Sequence, residues 1–439
     1  MKDRAADGIT DLPEAVGSKR SSGRKYGKRV SVVNPGAIQE LAYAASAIAQ
    51  AGLLAAYIAP FAVAPSSIEW LRSRVPAVGP VVADQLRRRP EPHGIGRHQF
   101  RRAGSVPEIG VVVGQRLRLP SNGMRPLFYL RNLLIAGAAA EEAGRSGLVL
   151  APHGVALPAF RRIRAVGGNA LLHAVTAHHA WAAEILQQEI ELTPSFAATL
   201  QHHDLPPSVL NSYDMELAEA DRILVLSTFQ MRTYLERGIA PEKLRLTPLG
   251  VNLDIFNPSE VKEGRPFTVL FVGQVTQRKG ISYLIEAFHR AALPNSILRF
   301  VGPVVGSDEA WRARAGLEYL PVQPRWRLPD IYRDADVYVL PSLVEGFAQT
   351  ALEAMACGVP VIISTNTFGS DVVTDGFDGF VVPIRDPDAI ARKLSLLHSD
   401  RDLGREMGMR GSETASKWSW EAYGVSVVAA VKELIGSRI

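Results

Sequence analysis

Two glutamates eight residues apart, Glu345 and Glu353, are the side chains in this 439-residue chain best placed to do chemistry. They lie in Pro341-Ser-Leu-Val-Glu345-Gly346-Phe347-Ala348-Gln-Thr-Ala-Leu-Glu353-Ala-Met-Ala-Cys357-Gly358. The run Asp336-Val-Tyr-Val-Leu340 before them is a short apolar strand that stops at Pro341. Gly358 ends the Ala/Leu/Met helix, and Pro360-Val-Ile-Ile363 opens the next strand. Glu345 therefore sits in a strand-to-helix loop and Glu353 about two turns into the helix. Helix N-termini at the carboxyl ends of parallel strands bind anions. A carboxylate at such a place accepts hydrogen bonds from hydroxyls, because it repels a phosphate. Two of them point to a ligand that carries both phosphate and sugar hydroxyls.

A second segment supplies the opposite charge. After the run Phe267-Thr-Val-Leu-Phe-Val272 comes Gly273-Gln274-Val-Thr-Gln-Arg278-Lys279-Gly280, and a helix is expected from about Ser282. Gly273 lets backbone approach a ligand. Arg278 and Lys279 precede a helix start, so two cations and a positive dipole end converge. A departing diphosphate needs such charge, and each pre-aimed donor is worth ~2.7–4 kcal/mol in the transition state.

The Glu345/Glu353 spacing resembles the E-x7-E signature of retaining glycosyltransferases of family 4, which have the GT-B fold. The resemblance implies that Glu353 binds the ribose of a nucleotide-sugar and that Glu345, followed by Gly346, Phe347 and Ala348, lies by the transferred sugar. Gly273 to Gly280 resembles the family's G-R-x-x-x-x-K-G phosphate loop, with Gln274 where Arg is frequent and Arg278 able to carry that charge. Asp375-Gly-Phe-Asp-Gly-Phe-Val-Val-Pro383 with Asp386-Pro387 resembles a hairpin and helix of the same family. Pro248-Leu-Gly-Val-Asn252 to Pro258 resembles the segment that ends its first domain, with Asn252 in place of Asp. The likeness covers roughly residues 245–395 well and the first half in outline. It implies a donor of UDP- or GDP-sugar type and no protein nucleophile: the acceptor hydroxyl attacks the face that the diphosphate leaves, with a phosphate oxygen as base.

On the first half, Thr199-Leu-Gln-His202-His203-Asp204 resembles the family's T-x-H-D, with His203 facing the donor sugar. A neighbouring carboxylate can orient such an imidazole. His153, His178 and His179 are weaker candidates. No His/Asp/Cys spacing makes a metal site and there is no Asp-x-Asp motif, so neither metal nor other cofactor is expected.

The elements that must position these residues form two alternating series. The first opens with strand Arg29–Val33, the turn Asn34-Pro-Gly36, a helix over 37–51 and a strand over 53–61, the β-α-β of a nucleotide-binding domain. Gly36 is where acceptor or donor sugar could approach backbone. Further strands are expected at 110–113, 147–150, 195–200, 222–226 and 245–247, then in the second series at 267–272, 297–301, 336–340, 360–363 and 379–382. The fold class is α/β, two doubly wound Rossmann-like domains facing a cleft. The expected division is a disordered basic tail 1–28, an acceptor-side domain 29–258, a nucleotide-sugar domain 259–417, and a helix 418–439 crossing back to the first domain.

Composition narrows the function. Charged residues are 21% and hydrophobic ones 47%, as in a globular protein. The single cysteine, Cys357, excludes an internal disulfide and fits a reducing compartment. The tail lacks a signal peptide's apolar core, and the uncharged run Leu41–Ala64 divides into helix and strand instead of spanning a membrane. A net charge of +5 admits an anionic membrane surface, and Ala159–Val166 mixes apolar residues with Arg161, Arg162 and Arg164 at helical spacing. With 7% aromatic residues and no stacking or zinc motif, nucleic acid is not an expected partner. The reading is a hexosyltransferase-type enzyme of the cytoplasm, with the inner face of the plasma membrane as a candidate surface, that builds a bacterial polysaccharide, lipopolysaccharide or glycolipid. The alternatives are a GT-B sugar-nucleotide isomerase or epimerase and a non-catalytic nucleotide-sugar-binding subunit.

Overall fold

The computed structural model describes residues 29–36, 38–61, 92–116, 121–200, 205–259 and 264–436. Thirteen strands in them form two wholly parallel sheets. The first contains β1 (Val30–Val33), β2 (Leu54–Ala59), β3 (Phe100–Arg102), β4 (Leu148–Pro152), β5 (Asn169–His173), β6 (Arg222–Val225) and β7 (Leu244–Leu246), in the order β3-β2-β1-β4-β5-β6-β7. The second contains β8 (Phe267–Val272), β9 (Ser296–Val301), β10 (Leu317–Leu320), β11 (Val337–Leu340), β12 (Val361–Ser364) and β13 (Phe380–Val382), in the order β10-β9-β8-β11-β12-β13. Strands covered on both faces must be apolar throughout, and β1, β4, β8, β11 and β12 are buried at every position. The chain reverses direction of winding between β1 and β4 and again between β8 and β11. Ligands of open α/β sheets bind outside the strand carboxyl ends at such switch points.

The described part of the run Leu41–Ala64, residues 41–61, divides as its residues require. The helix Gln39–Gln50 buries Leu41, Ala42, Ala44, Ala45 and Ile48, and β2 follows. Among the described residues no helix is long and apolar enough to cross a membrane. Asn34 shapes the turn before that helix: its Oδ1 accepts the Gly36 and Ile38 amides, and its amide donates to the Tyr57 hydroxyl at 2.9 Å.

Two expected strands are helical. Gly110–Val113 lies inside the helix Ser105–Arg116. Val106 and Ile109 face outward while Glu108, Val111 and Val112 are buried, which is the helical period. A short apolar run cannot be assigned by periodicity alone. Here tertiary contact decided, because the buried Glu108 pairs with Arg131 at 2.8 Å. The expected strand 195–200 is the 3-10 helix Pro194–Thr199. Pro194 has no N–H to give a ladder, and Phe196 and Thr199, three residues apart, turn inward together. Three strands went unforeseen: β3, β5 and β10. β5 carries polar ends, Asn169 and His173, and both bond the C-terminal helix Trp420–Gly436: Asn169 Nδ2 donates to the Leu434 carbonyl at 3.0 Å, and His173 Nε2 meets the Tyr423 hydroxyl at 3.0 Å.

That last helix packs on the first sheet's side of the molecule, with Trp420 stacked on Tyr43 at 4.0 Å between ring centres. The chain arrives there through a backbone crossing in which the Val251 amide donates to the Trp418 carbonyl at 2.9 Å.

The helix Leu157–Ala165 corrects the bilayer reading. Its apolar residues Ala159, Phe160 and Ile163 are fully buried in the protein's own core, so no apolar face is left for lipid. Arg164 pairs with Glu219 at 3.1 Å and Asp221 at 3.4 Å. The tail 1–28 lies outside the described residues.

At the crossing, a Cβ on Gly250 would overlap the backbone of Ser419 and Trp420. Gly250→Ala is expected to destabilise the chain by about 1–3 kcal/mol through overpacking. Urea unfolding followed by tryptophan fluorescence measures this, and an unchanged midpoint would show that the crossing yields without cost.

Candidate active site

Both charged segments end up at the second sheet's switch point, one after β8 and one after β11. Gly273 follows β8 with φ 147°, a conformation open to glycine, and its amide donates to the Val301 carbonyl. Gln274 is exposed. The loop then tightens into the 3-10 turn Gln277–Lys279, and Gly280 at φ 71° starts the helix Ile281–Ala291. A Cβ on Gly280 would overlap the Pro341 carbonyl, so the β8 loop rests directly on the β11 loop.

The two loops are joined by charge. Lys279 Nζ lies 2.6 Å and Arg278 3.0 Å from Glu345 Oε1, and the Ser342 hydroxyl donates to the same oxygen at 2.9 Å. Arg278 also donates to the Val344 carbonyl at 2.7 Å. Among the described residues nothing donates to Oε2. Burial pushes the Glu345 carboxyl up, but Lys279 and then Arg278 more than reverse it and hold it below its ordinary value. Burial pulls the Lys279 ammonium down, with Glu345 opposing. The expectation placed the cations at a diphosphate and Glu345 at a sugar. The structure brings all three into one cluster with a net single positive charge.

The residues after Glu345 face the first domain. A Cβ on Gly346 would overlap the Val175 carbonyl, and the Gly346 carbonyl accepts the Ser227 hydroxyl at 2.7 Å. Phe347 packs on Phe368 at 4.8 Å. Ala348 is left-handed at φ 71° and caps the helix Gln349–Ala356. A non-glycine residue there costs about 1–3 kcal/mol, and such strain clusters at ligand sites. Glu353 is buried in this helix. Its Oε2 accepts the Tyr332 hydroxyl at 3.0 Å and its Oε1 faces Arg325 at 3.4 Å. Burial raises the Glu353 carboxyl above its ordinary value, against Arg325 and Tyr332. Arg325, which no motif singled out, also donates to Gln39 Oε1 at 2.7 Å on the first domain's opening helix. Cys357 is buried, which raises its thiol to about 12.

The first domain contributes histidines. His203 lies outside the described residues. The same Thr-x-His spacing occurs at Thr176-Ala-His178, just beyond β5. By sequence His178 and His179 stand below His203, and no strand is expected at β5. His178 caps the helix His179–Leu192 by accepting the Ala180 amide at Nδ1, so its proton sits on Nε2. Burial, with His179, His153 and Arg237 adding to it, lowers its pKa to about 3. His153, at the end of β4, holds Glu216 through Nδ1 at 2.9 Å, and Glu216 also accepts the Gly154, Ala156 and Leu157 amides. Gly36, at the end of β1, has only the Arg131 guanidinium near its missing Cβ, at 3.8 Å.

One group among the described residues has a metal-binding donor set: His178, His179 and Asp214, with their atoms within 4.8 Å of one another. His179 Nε2 already bonds Asp214 at 2.9 Å, and His178 Nδ1 is the helix cap. A cation would have to displace those contacts.

Residues 254–414 match the family described as "Glycosyl transferases group 1". That match spans the second sheet and its helices. Among curated proteins, the chain is 31% identical over 240 residues to the D-inositol 3-phosphate glycosyltransferase of Geodermatophilus obscurus, covering 49% of this chain and 53% of that one. It is 30% identical over 272 residues to the enzyme of the same name from Nocardia farcinica, covering 55% and 60%. The chain thus spans little more than half the length of these relatives. Among solved structures, sucrose-phosphate synthase from Thermosynechococcus elongatus superposes with a TM-score of 0.61 at 19% identity, covering 93% of this chain and 99% of that one. Anabaena HepE in complex with UDP-glucose gives 0.59 at 12%, covering 92% and 99%. The two sheets with their helices together have the GT-B fold.

The His178 pKa has a consequence for stability. The unfolded chain protonates this residue near its ordinary 6.5, the folded chain only at about 3. Between these values the unfolded state holds more protons, so stability falls as pH falls. His178→Asn keeps a capping side chain and is expected to flatten that slope. Urea midpoints across this pH range measure it, and an unaltered slope would show that His178 titrates normally.

Proposed function

We propose that the chain is a retaining glycosyltransferase that moves a sugar from a UDP- or GDP-sugar to an acceptor hydroxyl. The observation that carries this reading is the Glu345–Lys279–Arg278 cluster at the second sheet's switch point, pressed against the first domain through Gly346. Lys279 and Arg278 would share their hydrogen bonds between Glu345 and the diphosphate, and neutralise it as the glycosidic bond breaks. Their charge acts where it develops and needs little reorganisation. Glu345 Oε2 is open to a hydroxyl of the transferred sugar. Glu353, lying deeper, would accept ribose hydroxyls beside Arg325. The protein's contribution is positioning and leaving-group charge, with a phosphate oxygen taking the acceptor's proton. A first-domain imidazole, His203 or His178 through its Nε2–H, would donate to the sugar. No metal is required by this scheme.

The relatives' name makes D-inositol 3-phosphate the first acceptor to try. Bacterial polysaccharide, lipopolysaccharide or glycolipid synthesis is the setting the reading favours. An anionic surface as partner rests on net charge alone. Sugar interconversion without acceptor, or donor binding without turnover, would support the isomerase and the non-catalytic subunit respectively.

Labelled UDP- and GDP-sugars incubated with the chain and candidate acceptors test the activity. Glu353→Ala should weaken donor binding by about 1.5–3 kcal/mol, the worth of hydrogen bonds to a charged group. Lys279→Ala and Glu345→Ala should lower kcat more than they weaken nucleoside binding. Variants that bind and turn over donor like wild type would sink the assignment. Activity should also survive EDTA; loss on chelation, restored by Mg²⁺ or Zn²⁺, would instead give the His178–His179–Asp214 group a role.

A further inference from the structure

We propose that Glu189 of the first domain is a positioning residue for the phosphate loop of the second, so that the diphosphate grip is complete only when the two domains are in contact. The proposal rests on the donor-site reading above.

Glu189 lies on the helix His179–Leu192 and is completely buried. On its own half the Thr193 hydroxyl donates to Oε1 at 3.1 Å, and the other partners come from the other half of the chain. Gln277 Nε2 donates to Glu189 Oε1 at 2.7 Å, and Arg385 Nε to Oε2 at 2.9 Å. Arg385 adopts a left-handed φ of 60° and also donates to the Ile185 carbonyl at 3.0 Å and to Gln188 at 3.1 Å on the same helix. A buried carboxylate is tolerated only where its charge is met, and here a cation from the second domain meets it.

Gln277 is the first residue of the turn that carries Arg278 and Lys279. Its side-chain amide is fully committed. Nε2 gives one hydrogen to Glu189 and the other to the Ser282 hydroxyl at 2.6 Å, while Oε1 accepts the Ser282 amide at 3.0 Å. The orientation of this amide is thereby fixed: only Nε2 can face a carboxylate. Gln277 thus pins the turn to the start of the following helix, and Glu189 pins Gln277. A second tie runs parallel. The Thr199 hydroxyl accepts the Gln277 amide at 2.9 Å, and the Thr199 carbonyl accepts the Thr276 hydroxyl at 2.6 Å. Two residues of the first domain, ten apart in sequence, therefore hold three consecutive atoms groups of one turn: the Thr276 hydroxyl, the Gln277 amide and the Gln277 side chain. None of these bonds involves Arg278 or Lys279 directly. Their effect is on where the turn sits, and a misplacement of about 1 Å is enough to cost 10²-fold in a positioned site.

The test measures how much the diphosphate adds to binding. Full-length wild type, Lys279→Ala, Glu189→Gln, Thr199→Val and Gln277→Met are titrated calorimetrically with UDP, GDP, uridine and guanosine. The ratio of nucleoside to nucleoside-diphosphate Kd isolates the phosphate grip. Wild type should show a large ratio for one base, and Lys279→Ala should abolish it. Glu189→Gln, Thr199→Val and Gln277→Met should each lower it by about tenfold, equal to about 1.4 kcal/mol, with nucleoside Kd unchanged. A merely structural defect would weaken nucleoside and diphosphate together. A full ratio in all three positioning variants beside its loss in Lys279→Ala would overturn the role of Glu189 and leave the donor site standing. No diphosphate advantage in wild type would remove the donor site and this proposal with it. Should Glu189→Gln fail to fold, the threonine and glutamine variants decide.

Discussion

The buried contact of Glu345 with Lys279 and Arg278 is the constraint around which the second domain is arranged. None of the three could be buried alone, because an uncompensated charge away from water costs several kcal/mol. Together they tie the loop after β8 to the loop after β11. Both loops therefore need backbone that comes close. Gly280 gives way to the Pro341 carbonyl, and the Leu343 amide donates back to the Arg278 carbonyl at 2.9 Å. The parallel sheet supplies the geometry, since β8 and β11 are neighbours whose carboxyl ends open on the same side.

The same economy appears where the domains meet. Close backbone approach occurs at Gly346 against Val175 and at Gly306 against Ala198, and in each case a side chain would not fit. Polar ties flank these approaches: Ser227 to Gly346, Arg325 to Gln39 and Arg385 to Glu189. Thr228 meets Asp371 in the same way. The C-terminal helix adds apolar area through Trp420 and Tyr423, and a buried bond to His173. Interfaces of this polar kind allow one domain to move against the other. The loops after β8 and β11 lie in their path, because they carry contacts to both halves.

Apart from its edge strand β10, the second domain was legible in the sequence. β8, β11 and β12 are buried, largely apolar runs, and the charged loops stand at the carboxyl ends of β8 and β11. Gly273, Gly280 and Gly358 mark positions where the backbone adopts a positive φ. The first domain was legible at β1, the helix Gln39–Gln50, β2, β4, β6 and β7. It failed at 110–113 and 195–200, where local β-branched or apolar character was overridden. It failed also at β5, whose Asn169 and His173 look like loop residues until their partners on the last helix are known.

Residue type and spacing by themselves determined the α/β class, the pairing of Glu345 with Glu353 across a loop and helix, and the cations waiting on the loop after β8. These are local facts, fixed by short-range sterics and by which residues a buried parallel strand admits. Only the tertiary structure decided that Glu345 is itself the partner of Lys279 and Arg278, that Arg325 faces Glu353, that Thr176-Ala-His178 stands at the end of a strand, and that Glu189 reaches Gln277. Each of these joins residues between 28 and 88 positions apart, or depends on a strand that exists through contact with a helix some 250 residues later. A buried charge finds its partner through the packing of whole elements, and no local pattern records which one it will be.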